Sequence, residues 1–246
     1  MAANTAPVPT LLTRASGAPI IISRALFRWQ ARRGTIDALT GHAGTLVRAA
    51  TGTAVDGLGT TYTAGHSMPR WETRESRLGL RLAADDLTWP CNVVPVTSTI
   101  LIRMSEAGTR TTSGAGLLYI GNDGQTGGRL IVDASSNQYR VTIHNGTTGQ
   151  SVSLTGSTPT TDNEADFIVN LLDTGGNQSV RIARWLSGVE TVTAYSSTVT
   201  RAAVFGTGAK IRANRVGSAG TQGSTWLSEI AWETGTLTYA EMLARL

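Results

Sequence analysis

From about residue 78 onward, short β-type runs are separated by turn-forming residues, and this pattern limits the fold more than any other feature of the sequence. Gly, Asn, Asp and Ser stand between the runs at the spacing that is typical of all-β sandwiches and barrels. Tight turns between successive runs imply hairpins, and hairpins imply antiparallel pairing. The clearest runs are residues 99–104, 116–120, 129–133, 138–143, 150–155, 166–172, 179–186, 189–195, 210–216 and 226–233.

Side-chain alternation within the runs indicates how the strands are buried. Tyr139, Val141 and Ile143 alternate with polar residues, as a half-buried strand requires. Residues 166–172 are almost continuously apolar, which predicts a central strand that is covered on both faces. Residues 174–177 supply the glycines that a hairpin bend needs. The sequence therefore predicts an all-β fold of two stacked antiparallel sheets.

Composition shifts along the chain predict three regions. Residues 1–25, which are rich in Ala, Thr and Pro, are predicted to form an N-terminal arm with little capacity to order alone. Residues 26–77 are predicted to form a small, irregular lead-in with short strands. Residues 78–246 contain the main β domain.

Two short helices are predicted at opposite ends of the chain. Residues 23–33 have the apolar spacing of an amphipathic helix, with Ser23 as its N-cap. Thr238 and Glu241 have the spacing of a capping box, which predicts one short helix after the last strand.

Charge and cysteine content narrow the function classes. The net charge is +4, but Lys210 is the only lysine and the arginines are dispersed, so we do not expect direct nucleic-acid binding. Cys91 is the single cysteine and cannot form an intrachain disulfide. The apolar run at residues 20–22 is too short to cross a bilayer, and no secretory leader is evident, so we expect synthesis in the cytoplasm and no membrane partner.

The order of several segments resembles the concanavalin A-like, laminin-G-type jelly roll. These segments are GLLYIGN at 116–122, GRLIV at 128–132, YRVTI at 139–143, DFIV at 166–169, IRANRVG at 211–217, LSEIAW at 227–232 and LTYAE at 237–241. The resemblance covers residues 78–246 and implies an antiparallel two-sheet jelly-roll sandwich.

A second resemblance concerns the region before the main domain. GTLV at 44–47, followed after a gap by MPRWE at 68–72, resembles the lead-in of tailed-bacteriophage virion proteins that carry this jelly roll. The resemblance implies a non-enzymatic structural component of a virion, in the head decoration, minor capsid or tail. The expected partners of the protein are major capsid or tail subunits. We also expect it to associate with further copies of itself in a closed oligomer such as a trimer, because closed symmetry is generally preferred.

In that setting, the N-terminal region is predicted to anchor the protein to its neighbours. The predicted partner-binding residues are Arg14, Ile20, Ile21, Phe27 and Trp29. The alternative function is a lectin-like module that attaches to glycans of a host or another surface. The two hypotheses differ in whether binding depends on the arm or on the loops of the jelly roll.

Hydrolase chemistry is not expected. Some relatives of this fold are glycosidases whose catalytic strand reads Glu-x-Asp-x-x-Glu, and this sequence has no such run. Glu229 and Glu233 share one face of the final run and could flank a bond, but a solvent-facing pair is the simpler interpretation.

The resemblance also directs attention to two kinds of binding site. Laminin-G-like domains often hold one calcium ion at a rim, and Asp123, Asp133 and Asp173 lie at turns or strand ends where ligands could converge. Because Asp simply favours turns, the simpler interpretation is that no cofactor is bound. Trp185 and Trp226 are the candidate glycan platforms, although large aromatics in a sandwich are more often part of its core.

Overall fold

The computed structural model describes residues 25–30, 45–47, 53–55, 61–63, 70–74, 77–83, 86–91, 96–105, 115–122, 127–135, 138–154, 164–201, 208–214 and 224–246. Within these ranges the chain forms eighteen β-strands and one α-helix. All strand pairs are antiparallel, and the strands form two large sheets and one small hairpin of β3 (Thr53–Val55) with β4 (Thr61–Thr63).

The first sheet has nine of the described strands. Its main path runs β15 (Val189–Val192), β14 (Asn177–Leu186), β13 (Glu164–Thr174), β8 (Ser98–Ser105), β18 (Ser224–Thr234), β6 (Arg77–Ala83) and β5 (Arg70–Arg74). Two further strands join this path at its sides: β1 (Ala25–Gln30) pairs with β18, and β16 (Val199–Thr200) pairs with β14.

The second sheet has seven of the described strands. Their order is β12 (Gly149–Ser153), β11 (Gln138–Asn145), β10 (Gly128–Ser135), β9 (Ala115–Gly121), β17 (Lys210–Ala213), β7 (Asp86–Pro90) and β2 (Thr45–Val47). The predicted all-β sandwich of two antiparallel sheets is confirmed, and each of the ten predicted runs overlaps a strand.

The core lies between the two sheets, where their inward-facing side chains are buried together. Tyr139 of the second sheet contacts Phe167 of the first with ring centroids 4.6 Å apart. The predicted alternation holds on β11, where Tyr139, Val141 and Ile143 are at most 2% exposed. The predicted central strand is β13, which lies between β8 and β14 and is buried on both faces. Gly175 and Gly176 have positive φ in its hairpin, as that turn requires.

The helix predicted at residues 23–33 is wrong, because residues 25–30 form the strand β1. Phe27 lies opposite Trp232 in register, and it is 3% exposed in the core. Its ring meets Trp89 of the second sheet edge-on, with centroids 5.4 Å apart. An isolated helix of this length is marginal in water, whereas pairing with β18 supplies both hydrogen bonds and apolar burial.

The lead-in region contributes strands to the same two sheets. β1 pairs with β18 and β5 pairs with β6 in the first sheet, while β2 pairs with β7 in the second. The boundary predicted at residue 78 therefore does not coincide with a division in either sheet. Residues 1–24, which include most of the predicted arm, lie outside the described part of the chain.

The C-terminal helix α1 (Tyr239–Leu243) confirms the second helix prediction. The Thr238 side chain accepts a hydrogen bond from the Glu241 backbone N–H, and the Glu241 carboxylate accepts one from the Thr238 N–H, as a capping box requires. Met242 anchors this segment to the outer face of the first sheet, in a cluster with Leu101, Ile168, Ala183, Ala231 and Leu237. Among the described helical residues, no span is long and apolar enough to cross a membrane.

Candidate functional site: a groove beside the C-terminal helix

A groove of about 540 Å³ lies on the outer face of the first sheet, between the C-terminal segment and strand β15. Its floor comes from β13 and β14, where side chains of alternate residues point outward. Its walls are the C-terminal segment on one side and β15 on the other. The lining residues are Ile168, Asn170, Arg181, Ala183, Trp185, Glu190, Val192, Leu237, Thr238, Tyr239, Ala240 and Leu243.

The groove exists because its floor is made of small or flat groups. Along β14, Ala183 stands between the much larger side chains of Arg181 and Trp185 on the same face. Ile168, which lies opposite Ala183 on β13, packs under the C-terminal segment. The short side chain at position 183 therefore leaves a hollow that is bordered by an aromatic ring at one end and a guanidinium at the other.

An aromatic pair borders one end of the groove. The rings of Trp185 and Tyr239 stack with centroids 4.7 Å apart and an interplanar angle of 19°. The Tyr239 hydroxyl donates a hydrogen bond of 2.5 Å to Asp166 Oδ2, which fixes the ring. Burial, followed by this hydrogen bond, raises the pKa of Tyr239 to about 12. The phenol is therefore neutral and acts as a donor at physiological pH.

The other end of the groove is organised by Asn170, a side chain that is only 2% exposed. Its Nδ2 donates to Thr99 Oγ1 at 2.8 Å and to the Leu237 carbonyl at 3.2 Å. Its Oδ1 accepts from Arg181 Nε at 2.8 Å. The guanidinium of Arg181 also lies over the Tyr195 ring, 4.8 Å from its centroid. Asn170 thus fixes both the C-terminal segment and the arginine that lines the groove.

The outer wall is formed by the edge strand β15. Val192 is 52% exposed and lines the groove, and Glu190 lies directly opposite Trp185 in register. Val189, on the same strand, is 65% exposed but does not line the groove. The two exposed valines therefore differ mainly in the side of the strand from which they project.

A smaller polar hollow of about 170 Å³ lies on the other side of the aromatic pair. Trp185 and Tyr239 line it together with Arg77, Glu164 and Asp166. Asp166 is held by Arg103 Nε at 3.2 Å and by Arg77 at 3.4 Å. This ion-pair network fixes the base of the aromatic pair from the side opposite to the groove.

The two tryptophans predicted as glycan platforms have different environments. Trp185 is half-buried and lines both hollows, as a platform would. Trp226 is 1% exposed and lies against Gly79, where its ring leaves no space for a Cβ, so it cannot be an exposed platform. The prediction for Trp226 was wrong because the outer face of β18 is covered, and the local sequence does not show this.

Two of the three predicted calcium ligands, Asp133 and Asp173, lie within the described residues, and they belong to different sheets. The Asp133 carboxylate accepts bonds of 2.6 and 3.0 Å from Arg140, its cross-strand partner in the second sheet. Asp173 lies at the end of β13 in the first sheet and pairs with Arg201 at 2.8 Å. Asp123 lies outside the described ranges. Within those ranges, no group of three or more acidic, His or Cys side chains could hold a metal ion.

Of the predicted partner-binding residues, Phe27 is in the core and is not available to a partner. Trp29 lies in β1, opposite Ile230 in register. Arg14, Ile20 and Ile21 lie outside the described residues.

The predicted solvent-facing pair, Glu229 and Glu233, is instead buried, at 2% and 1% exposed. Glu229 pairs with Arg103 at 3.4 Å, and Glu233 pairs with Arg245 at 3.7 Å. The C-terminal segment and the arginines cover this face of β18. The prediction failed because it assumed an uncovered outer face.

No family model and no curated protein matches the sequence. Among solved structures, the chain is similar to domain 4 of AbnA, a GH43 extracellular arabinanase from Geobacillus stearothermophilus, in complex with arabinotriose, with a TM-score of 0.63 at 11% identity; the match covers 91% of this chain and 98% of that one. The chain has the concanavalin A-like jelly-roll fold.

The same jelly roll is similar to two botulinum neurotoxin domains. The type G receptor binding domain gives a TM-score of 0.56 at 12% identity, covering 91% of this chain and 51% of that one. The serotype D binding domain gives a TM-score of 0.55 at 8% identity, and the match covers 90% of this chain and 51% of that one. The jelly roll therefore spans about half the length of these toxin chains.

Proposed function

We propose that this protein is a glycan-binding module that takes an oligosaccharide into the groove beside its C-terminal helix and does not catalyse a reaction. The observation that carries the proposal is the Trp185–Tyr239 pair, which borders a preformed hollow with fixed polar groups at its far end. An aromatic border with a few oriented polar groups is the usual composition of a small-ligand site.

The chemistry of the groove suits a sugar. An aromatic ring can accept the C–H face of a pyranose or furanose, while the hydroxyl groups need hydrogen-bond partners at the rim. Arg181, Glu190 and Thr238 supply donors and acceptors along the groove. The apolar floor at Ile168 and Ala183 offers contact area without competing for those hydroxyl groups.

The similarity to an arabinanase domain whose structure is in complex with arabinotriose supports a glycan as the ligand. The ion pairs of the nearby carboxylates support binding without catalysis. Asp166 and Glu229 both contact Arg103, and Glu233 contacts Arg245. Glu229 and Glu233 are also buried and line neither hollow, so a glycan in the groove does not meet them.

The place of the protein in a virion remains a separate proposal. It depends on the resemblance of residues 44–47 and 68–72 to phage lead-in segments, and it is compatible with glycan binding because virions attach to surface glycans. Co-sedimentation with particles from a lysate tests it, with the full chain compared with a version that lacks residues 1–24. Particle association of the full chain alone would support an anchoring arm; association of neither version would contradict it. Light scattering measures the proposed closed oligomer.

The glycan proposal is tested on an oligosaccharide array that includes neutral arabino-, xylo- and gluco-oligosaccharides and acidic glycans. We expect Val192→Ser to reduce the affinity for any bound glycan, and Trp185→Ala to abolish binding. Val189→Ser is the matched control, since it makes the same change at a similarly exposed site outside the groove.

Three outcomes are decisive. Binding that is lost in Trp185→Ala, weakened in Val192→Ser and unchanged in Val189→Ser supports the groove. Binding that survives Trp185→Ala in a folded protein places the glycan site elsewhere. An array without any bound glycan contradicts the proposal.

A further inference from the structure

We infer that the groove selects glycans that carry a carboxylate, and that Arg181 binds this group. The inference rests on the proposed function and narrows its ligand class. The observation behind it is that Arg181 has no ion-pair partner among the described residues: no carboxylate there lies within ion-pair distance of its guanidinium. Its hydrogen-bond partner there is the neutral amide of Asn170.

Arg181 is held in place without being neutralised. Its Nε donates to Asn170 Oδ1, and its guanidinium plane lies over the Tyr195 ring. Both contacts leave its terminal N–H groups available, and the side chain lines the groove. A fixed guanidinium fork matches the geometry of a carboxylate, and a half-buried position strengthens the attraction relative to one in bulk water.

The hydrogen bonds of Asn170 fix the position of Arg181. Asn170 is bound to Thr99 of β8 and to the Leu237 carbonyl of the C-terminal segment, so that three separate parts of the chain converge on it. Because both amide protons and the carbonyl are engaged, the side chain has little freedom to turn. The guanidinium therefore needs little reorganisation when a ligand arrives.

The length of the groove sets the minimum ligand. Arg181 and Trp185 are separated by four positions on one strand, which places their Cα atoms roughly 13 Å apart. A single sugar ring does not reach both ends, whereas two or three linked rings do. The ligand is therefore an oligosaccharide with an acidic sugar at the Arg181 end and a neutral ring at the Trp185 end.

Glu190 reinforces this orientation. It lies opposite Trp185 in register and therefore at the aromatic end of the groove. Its carboxylate can accept hydrogen bonds from hydroxyl groups there and disfavours an acidic sugar at that end. The groove therefore has a positive charge at the Arg181 end and a negative charge at the Glu190 end.

Calorimetry with paired probes tests the inference. A trisaccharide with one terminal glucuronic acid is compared with the same trisaccharide ending in glucose, and sialyllactose with lactose, which distinguishes a uronic acid from a sialic acid as the source of the carboxylate. For at least one pair, we expect the acidic member to bind about tenfold or more tightly than the neutral member. The neutral member lacks the charged hydrogen bond to Arg181, and the loss of such a bond lowers affinity by about this factor. The preference should weaken as salt is raised.

Arg181→Gln should remove this preference while the neutral member of the pair still binds, which also shows that the variant is folded. Glu190→Gln should leave or increase the affinity for the acidic probe. Equal affinities for both members of each pair, or a preference that persists in Arg181→Gln, would overturn the inference and leave the proposed function intact. If no sugar binds at all, the proposed function itself has failed.

Discussion

At the scale of single residues, Asp133 and Arg140 form a closely coupled charge pair in the second sheet. They lie opposite each other on β10 and β11 and form two hydrogen bonds. The bond to Asp133 raises the pKa of Arg140 above its usual value, although burial opposes this. The side chains differ in exposure, since that of Asp133 is 2% exposed and that of Arg140 is 35% exposed.

This difference predicts unequal costs for removing either partner. Arg140→Met leaves a buried carboxylate without its partner and should lower the free energy of unfolding by about 3 kcal/mol. Asp133→Asn leaves an arginine that can turn to water, so we expect about 1 kcal/mol. Urea denaturation of both variants and of the double variant measures the difference. Equal losses would mean that burial of the aspartate does not control the pair.

His144 is a pH-sensitive residue near the end of β11, beside the turn that follows this strand. Its Nδ1 accepts a hydrogen bond from the Gly146 backbone N–H at 2.9 Å, and burial, followed by the charge of Arg129, lowers its pKa. A histidine whose folded pKa lies below its unfolded value, about 6.5, adds stability above that value and loses it as pH falls. Protonation of Nδ1 also removes the acceptor of the turn.

We therefore expect hydrogen exchange at the Gly146 amide, measured relative to an unstructured peptide, to become less protected as pH falls below about 6.5. NMR-detected exchange measures it, and His144→Ala should abolish the pH dependence. Protection that stays constant down to pH 5 in the unaltered protein would contradict this role for His144.

At the scale of elements, the attachment of the C-terminal segment depends on Tyr239. Its hydroxyl donates to Asp166, and its pKa is raised to about 12. A tyrosine with a raised folded pKa contributes stability below its unfolded value of about 10, and this contribution is lost as pH rises toward 12. Ultraviolet titration should show one phenol that ionises near pH 12.

Tyr239→Phe should remove that titration step and reduce stability by about 1 kcal/mol while keeping the ring stacked on Trp185. Exchange of the α1 amides should rise in the variant before that of β13. A late-titrating phenol that persists in Tyr239→Phe would belong to another tyrosine.

The sequence predicts some elements well and others poorly, for physical reasons. Strand β11 and the capping box at Thr238 were predictable because alternation and cap spacing are local signals. β1 was not, because ALFRWQ carries apolar residues that fit either period, and its conformation is decided by a partner strand almost the whole chain away. The groove was missed for a similar reason: its lining residues span positions 168 to 243.

At the scale of the whole molecule, the two sheets are joined by aromatic contacts at separate places in the core. Phe27 meets Trp89, and Tyr139 meets Phe167. The first contact is made by β1, which precedes the main domain predicted from the sequence. A segment that sequence analysis assigned to the small, irregular lead-in therefore contributes to the core of the sandwich.

Phe27→Ala should consequently lower the stability of the entire fold by about 3 to 5 kcal/mol. Fluorescence and far-ultraviolet circular dichroism should report one shared transition, since both sheets lose a core contact. Val189→Ser, at an exposed site, should leave the transition unchanged. If Phe27→Ala alters only a minor early transition, β1 is a dispensable addition to the sandwich.

The pairing of β1 with β18 has a consequence for folding during translation. A nascent chain exposes β1 as soon as it leaves the exit tunnel, but the complementary strand begins only at Ser224. At translation rates of about 5 to 20 residues per second, the stretch between them takes roughly 10 to 40 s to synthesise. Throughout that interval, Phe27 and an unpaired strand edge are open to neighbouring nascent chains, so the yield of native protein should depend on chaperone supply more than its final stability suggests.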